Sequence, residues 1–408
     1  MISVATGSIR TGPGVVIAIA TAVQTLVSAG VLTLPAIAPQ AALALGIEPV
    51  LIGLQVSIMY AAATIASLFG GRCVRRFGAA RTSQAALLFL AAGLMLATLP
   101  SLLLIALGSA VMGAAYGLPG PAAAHLLHRY TAARHRNLVF SLKQTGVPLG
   151  GVLAGLVAPR LAAAIEWRAP LIAAAGGAAG LALVIGLVRS SWDDDRQPNA
   201  SLSRAIGEPI LAMLRVRGLR ALAGVGFLLA GVQLCVIAFA VLLLVSDFGF
   251  TPVAAGSVLA AAQMAGALGR IVWGLLADRL RDGRRVLLGL ALATALLLLA
   301  LQAVSFVGPV PVLVCLGATA IGWNGVFLAE VARLAPEHRV GDATAIVLAG
   351  TYLGVCLGPA LFTAAAPLFP SYSAAFILLA LSSLAAAGLL LAGAERPRPS
   401  PPFEGKST

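Results

Sequence analysis

From Val15 onward the sequence leaves itself few options, because one apolar stretch follows another, each roughly 20 residues or longer and parted by short basic, glycine or proline turns. A stretch of that length crosses the hydrocarbon of a bilayer as a helix, and the strand-type alternation of a membrane barrel is absent. The chain is 60% hydrophobic and 10% charged over 408 residues, against about 25% charged residues in soluble domains. No soluble core could bury so much apolar side chain, so the expected class is an all-α polytopic membrane protein. The formal charge of +13 would suggest nucleic acid in a soluble chain. Here the basic residues fall between apolar stretches, where they set topology, and no nucleic-acid partner is expected.

The stretches read as helices over about Val15–Ala38, Val50–Gly71, Thr82–Leu99, Ser101–Leu127, Leu138–Ala163 and Ala169–Val188. Six more follow over about Leu219–Val245, Thr251–Ala277, Val286–Val304, Val310–Arg333, Ala343–Ala366 and Tyr372–Ala392. Thr251-Pro252 reads as an N-cap and first-turn proline. This divides the chain into an N-terminus (1–14), a first six-helix half (15–189), a polar linker (190–218), a second half (219–392) and a tail (393–408). The linker carries Asp193, Asp194 and Asp195, and Ser201–Leu214 could lie on the membrane surface as an amphipathic helix. The proline-rich tail from Glu395 reads as disordered. The first stretch lacks a small-residue cleavage site and is expected to stay as a helix.

An even number of spans puts both termini on one side. Placing them in the cytoplasm leaves only Arg160 and Arg168 outside, the asymmetry expected of a multi-pass protein of a bacterial inner (plasma) membrane.

Two patterns carry more than topology. The stretch GRIVWGLLADRLRDGRR (269–285) turns abruptly from apolar to basic, with Gly274, Asp278 and Arg279 spaced Gly-x-x-x-Asp-Arg, then Gly283, Arg284 and Arg285. Gly53, Gly71 and Arg76 recur at one constant offset as Gly256, Gly274 and Arg279, and Gly146 and Gly150 recur as Gly350 and Gly354. Repetition across several helices implies two parallel six-helix halves. The 269–285 stretch resembles the signature between helices 8 and 9 of the major facilitator superfamily, with two extra residues before the final glycine. In the first-half copy Arg75 stands at the aspartate position, and Ser109 occupies a helix 4 position where many proton-coupled members carry arginine. The resemblance implies the major facilitator fold: twelve transmembrane helices in two pseudo-symmetric halves that rock about a midplane site.

Candidate site residues follow from cost. A charge in hydrocarbon is expensive, about 2.5–3.5 kcal/mol on insertion scales, so it faces a cavity or a partner. Lys143 either snorkels to the surface or lines the path; Arg270 either ties down the inner gate or joins Lys143 as a second cation. Neither has an acid at its own depth, which favours an anionic substrate. Gln24, Tyr60, Tyr116, Gln144, Gln233, Gln263, Asn324 and Tyr352 supply polar groups in or near the expected midplane, with Trp323 as a stacking wall. Singly, such amides often just join helices. Arg75, Arg76, Gly274, Asp278, Arg279 and Glu330 belong to the expected gate, Glu330 pairing locally with Arg333 or with Arg279 or Arg284. Glycine and proline in helices 5 and 11 allow both to bend.

No enzyme constellation, phosphate loop or cofactor motif is present. Four single cysteines make no disulfide or metal spacing, and His125 with His128 lacks a third ligand. The expected function is secondary transport of a small organic or inorganic anion by a monomer, with proton symport. The alternatives are proton-coupled efflux of drugs or metabolites, and a membrane sensor or lipid-handling protein built on the same fold.

Overall fold

The computed structural model describes residues 12–46, 49–200, 215–250, 252–304, 308–336 and 339–393. The surface helix expected over Ser201–Leu214, the cap at Thr251 and the tail from Glu395 lie outside the described residues.

Among the described residues, twelve helices are long and apolar enough to cross a membrane. They are α1 (Pro13–Ala36), α2 (Pro49–Phe77), α3 (Ala79–Ala97), α4 (Leu102–Tyr130), α5 (Ala133–Ala164) and α6 (Ala169–Trp192). The second set is α7 (Arg217–Phe248), α8 (Pro252–Leu280), α9 (Gly283–Ala300), α10 (Pro309–Leu334), α11 (Val340–Leu368) and α12 (Tyr372–Ala392). Their apolar sequences need no other reason to be helical, since every backbone polar group must be satisfied within a span. The turns have local causes. Gly78, at φ 97°, makes the corner between α2 and α3. The Asp282 carboxylate caps α9 by accepting from the Arg285 amide at 2.9 Å.

Packing repeats between the halves. In the first, α1 lies on α5, α2 on α4 and α3 on α6; in the second, α7 lies on α11, α8 on α10 and α9 on α12. The repeated glycines make the equivalent contacts. Gly146 and Gly150 press α5 onto the Thr21 and Thr25 carbonyls of α1, and Gly350 and Gly354 press α11 onto the Ala223 and Phe227 carbonyls of α7. A side chain at these positions would force the backbones apart.

Five expected helices are not single rods; the twelfth divides into Tyr372–Ala375 and Ile377–Ala392. The first ends at Ala36, and a short helix, Ala38–Leu45, follows. The fourth is broken at Leu118, where Pro119 and Pro121 remove amide donors. The fifth divides into Arg136–Gln144 and Gly146–Ala164, and the tenth into Pro309–Ala320 and Asn324–Leu334. Irregular backbone at membrane depth is tolerated where it is buried in protein or lines a cavity, and these last two breaks flank the central cavity.

Candidate functional site

Pro148 has no N–H to offer the Gln144 carbonyl four residues earlier, so the α5 break leaves that acceptor to another donor. Arg270 of α8 supplies it: its Nη1 donates to the Gln144 carbonyl, and its Nε donates to the Ile321 carbonyl in the α10 break at 3.2 Å. One guanidinium thus ties two interrupted helices together across the junction of the halves. Trp273, almost a turn further along α8, donates its indole N–H to the Ala318 carbonyl of α10 at 2.8 Å.

Lys143 stands beside this tie. Its ammonium donates to Gln24 Oε1 at 2.6 Å and Gln144 Oε1 at 3.0 Å. Lys143 and Arg270 are each only 2% exposed, so neither reaches the surface by snorkelling. Among the described residues no carboxylate pairs with either. An ammonium has three N–H donors and a guanidinium five; two of each are committed to these neighbours, which leaves one and three.

Both cations line one cavity of about 110 Å³ between the halves. Gln24, Gln144, Gln233 and Asn324 line it too, so polar groups expected from five different stretches converge there. Tyr60 of α2, Tyr116 of α4 and Tyr352 of α11 form its aromatic corner, with ring centroids 5.6, 6.2 and 5.6 Å apart. Two expected residues stand off. Trp323 lies behind the wall, donating to Gln233 Oε1 at 3.0 Å beside the 2.9 Å bond from Asn324. Gln263, half-buried two turns before Arg270 on α8, is not part of the lining.

The halves also meet on the side that carries the α2–α3 and α8–α9 turns, here called the signature side. Gly274 of α8 and Gly325 of α10 both rest on Ser141 of α5, leaving no room for a Cβ. Asp278 accepts from the Asn137 and Leu138 amides at 3.1 and 2.9 Å and from Asn137 Nδ2 at 2.8 Å. A carboxylate therefore caps the start of α5, where the helix dipole favours negative charge. In the other half-to-half contact Gly71 of α2 rests on Asp342 of α11, and Arg75 pairs with the Asp342 carboxylate. Glu330 pairs with Arg333 at 2.7 Å, the local partner, and Arg279 is exposed. Arg76 donates to the Ala200 carbonyl at 3.5 Å, toward the linker and away from the other half.

The sequence profile of the Major Facilitator Superfamily matches residues 17–343 and 236–407. The chain belongs to the Major Facilitator Superfamily. An uncharacterised MFS-type transporter of Mycobacterium tuberculosis is 28% identical over 301 residues, which is 72% of this chain and 64% of that protein. The chain thus spans just under two thirds of the length of the first curated relatives it matches. A second protein of that organism, named "Probable nitrate/nitrite transporter NarK2", is 37% identical over 149 residues, 34% of this chain and 36% of its own. Among solved structures, the Escherichia coli fucose:proton symporter FucP superposes with a TM-score of 0.76 at 15% identity, covering 95% of this chain and 100% of FucP. The human organic anion transporter MFSD10 gives 0.72 at 16%, covering 93% and 100%. At these identities the likeness is one of fold.

Within that superfamily fold the departure at Arg75 has a structural counterpart. Arg75 occupies the place in α2 that Asp278 occupies in α8. Asp278 caps the start of α5, whereas at the start of α11 the acid sits on the capped helix itself, as Asp342, and the base sits on α2. Arg339 also pairs with Asp342, at 3.2 Å. Sequence reasoning passed over Asp342, although an acid in a first helical turn opposite an unexpected arginine was the available signal. It also passed over Thr351 and the apolar wall of Val147, Leu328 and Leu348. Nothing separates those aliphatic residues from their neighbours in an apolar run.

Proposed function

We propose that this chain is a secondary transporter that moves a small anion through the central cavity by alternating opening of its two halves. The carrying observation is the pair Lys143 and Arg270: two cations, 2% exposed, facing one cavity with no carboxylate partner among the described residues. Burying two like charges without an acid is costly, and a bound anion would offset that cost. A volume near 110 Å³ is well below the roughly 300–1,000 Å³ of drug-sized sites, which supports a small solute over a bulky drug. The relatedness to a protein named for nitrate and nitrite points the same way.

The positive-inside asymmetry supports cytoplasmic termini in a bacterial inner membrane, and the signature side then faces the cytoplasm. The division into halves at 15–189 and 219–392, joined by 190–218, belongs to the same reading. Uptake of an anion against an inside-negative potential costs about 2.3 kcal/mol per charge at 100 mV, so proton symport is the coupling we propose. No carboxylate lines the cavity among the described residues, which leaves the proton to the substrate or to Lys143. A monomer suffices for this mechanism.

The test is thermal stabilisation of the purified protein by nitrate, nitrite, short carboxylates and cationic drugs, repeated on Lys143→Gln. An anion that raises Tm of the parent and not of the variant is the expected result. Stabilisation of both proteins by cationic drugs, with none by any anion, would sink the anion reading.

A further inference from the structure

A second cavity lies outside the transport path, on the lipid-facing edge of the first half. It is a groove of about 650 Å³ between the end of α2, the start of α3 and the first residues of the linker. Arg76, Arg81 and Arg196 line it together with the apolar Phe77, Phe89 and Leu118. Phe77 and Phe89 are 43% and 44% exposed, which suits contact with hydrocarbon.

The acids close by are all committed elsewhere. Asp193 accepts from the Ala80 and Arg81 amides at 2.7 and 3.2 Å, Asp194 pairs with Arg129 at 2.6 Å, and Asp195 meets His125 at 2.8 Å. Among the described residues no carboxylate forms a salt bridge with the three groove arginines, and Asp193, already held by two amides, acts on Arg196 only through its field; Arg76 has the Ala200 carbonyl at 3.5 Å and the Phe77 ring at 5.6 Å. Positive charge therefore accumulates in an apolar trough. From Arg81 to Phe89 the trough follows α3 for about 12 Å, at 1.5 Å per residue, the length of the upper part of an acyl chain.

The groove between α7, α11 and α12 is similarly large, about 560 Å³, but Phe227, Leu361 and Phe362 face it and no charged residue does. It suits any acyl chain. The first groove adds three arginines to its apolar lining, and basic clusters at a membrane boundary draw anionic headgroups.

We propose that this groove binds an anionic phospholipid, its phosphate held by Arg76, Arg81 and Arg196 and one acyl chain lying along α3. The proposal is independent of what the central cavity carries. The test measures lipid retention by the detergent-purified protein in native mass spectrometry, with phosphatidylglycerol, phosphatidylcholine and inorganic phosphate as probes. Phosphatidylglycerol is expected to bind, and Arg81→Gln/Arg196→Gln to weaken it about 30-fold, from about five-fold per basic residue at an anionic surface. Equal retention of phosphatidylcholine, equal binding of phosphate alone, or no change in the double variant would each overturn it.

Cys73, which also lines the groove, gives a second readout that needs no arginine variant. In Cys235→Ser/Cys315→Ser/Cys356→Ser, phosphatidylglycerol should slow maleimide modification of Cys73 several-fold while phosphatidylcholine does not. Unchanged labelling, or labelling already blocked without lipid, would overturn the placement.

Discussion

Lys143 and Arg270 share burial and charge but not tasks. Lys143 touches only side-chain amides, so Lys143→Gln removes its charge while leaving the helices in place. The expected outcome is a near-parental Tm with at least ten-fold weaker anion stabilisation, read by a thermal shift titration. Arg270 holds two main-chain carbonyls left open by helix breaks. Arg270→Lys keeps the charge but lacks the planar fork, and each stranded acceptor costs about 1–3 kcal/mol. That variant should unfold several degrees earlier even without ligand, as differential scanning fluorimetry would record. A third residue-scale expectation concerns acid. The Arg129 guanidinium hydrogen-bonded to Asp194 holds its carboxyl below the usual range, and His125 does the same for Asp195. Lowered folded values mean that these contacts stabilise fully above the unfolded value near 3.9 and are lost as pH falls through the folded ones. Asp193 runs the other way, since burial pushes its carboxyl up despite two amide donors. Asp194→Asn/Asp195→Asn should therefore flatten the loss of Tm as pH falls below about 4; a slope identical to the parent's would mean that the linker contacts do not contribute.

At the scale of helices, the closest contacts between halves rest on glycine. Gly325 and Gly274 meet the same serine, Ser141. Gly325→Ala places a methyl against the Ser141 backbone and should hold the signature side apart, several-fold increasing modification of a cysteine placed at Ser141. Gly155 has open space at its Cβ position, so Gly155→Ala should leave the same labelling unchanged. This scale also marks the limit of sequence reading. Span number, half-to-half repetition and the glycine pairs of α5 and α11 were legible because apolar length and constant spacing act locally along the chain. The α4 break, at Pro119, had a local cause that could have been read. The α10 break had none so plain: it is stabilised by Arg270 and Trp273 of α8, and such donors become neighbours only on folding. The cavity was half legible. Polar residues stand out in an apolar run, but Gln263 and Trp323 show that depth alone does not say which way a side chain faces.

For the molecule as a whole, the two contacts across the signature side are built from different chemistry. The α8–α5 contact is a carboxylate on main-chain amides, whereas the α2–α11 contact is an ion pair of Arg75 with Asp342. An amide cannot mutate away, so Asp278 can be lost alone at the cost of a cap, about 0.5–2 kcal/mol. Arg75 and Asp342 bind each other's futures instead. Asp342→Arg strands Arg75, and Arg75→Asp sets a second acid against Asp342 with only Arg339 left to balance it; breaking a buried pair costs about 3–5 kcal/mol. Arg75→Asp or Asp342→Arg alone should give poorly assembled protein, and the double exchange should recover more than the sum of the singles predicts, as a double-mutant cycle of Tm would show. In this chain the α2–α11 contact can therefore be rewritten only by a change at one position answered at the other, while the α8–α5 contact can be given up one residue at a time.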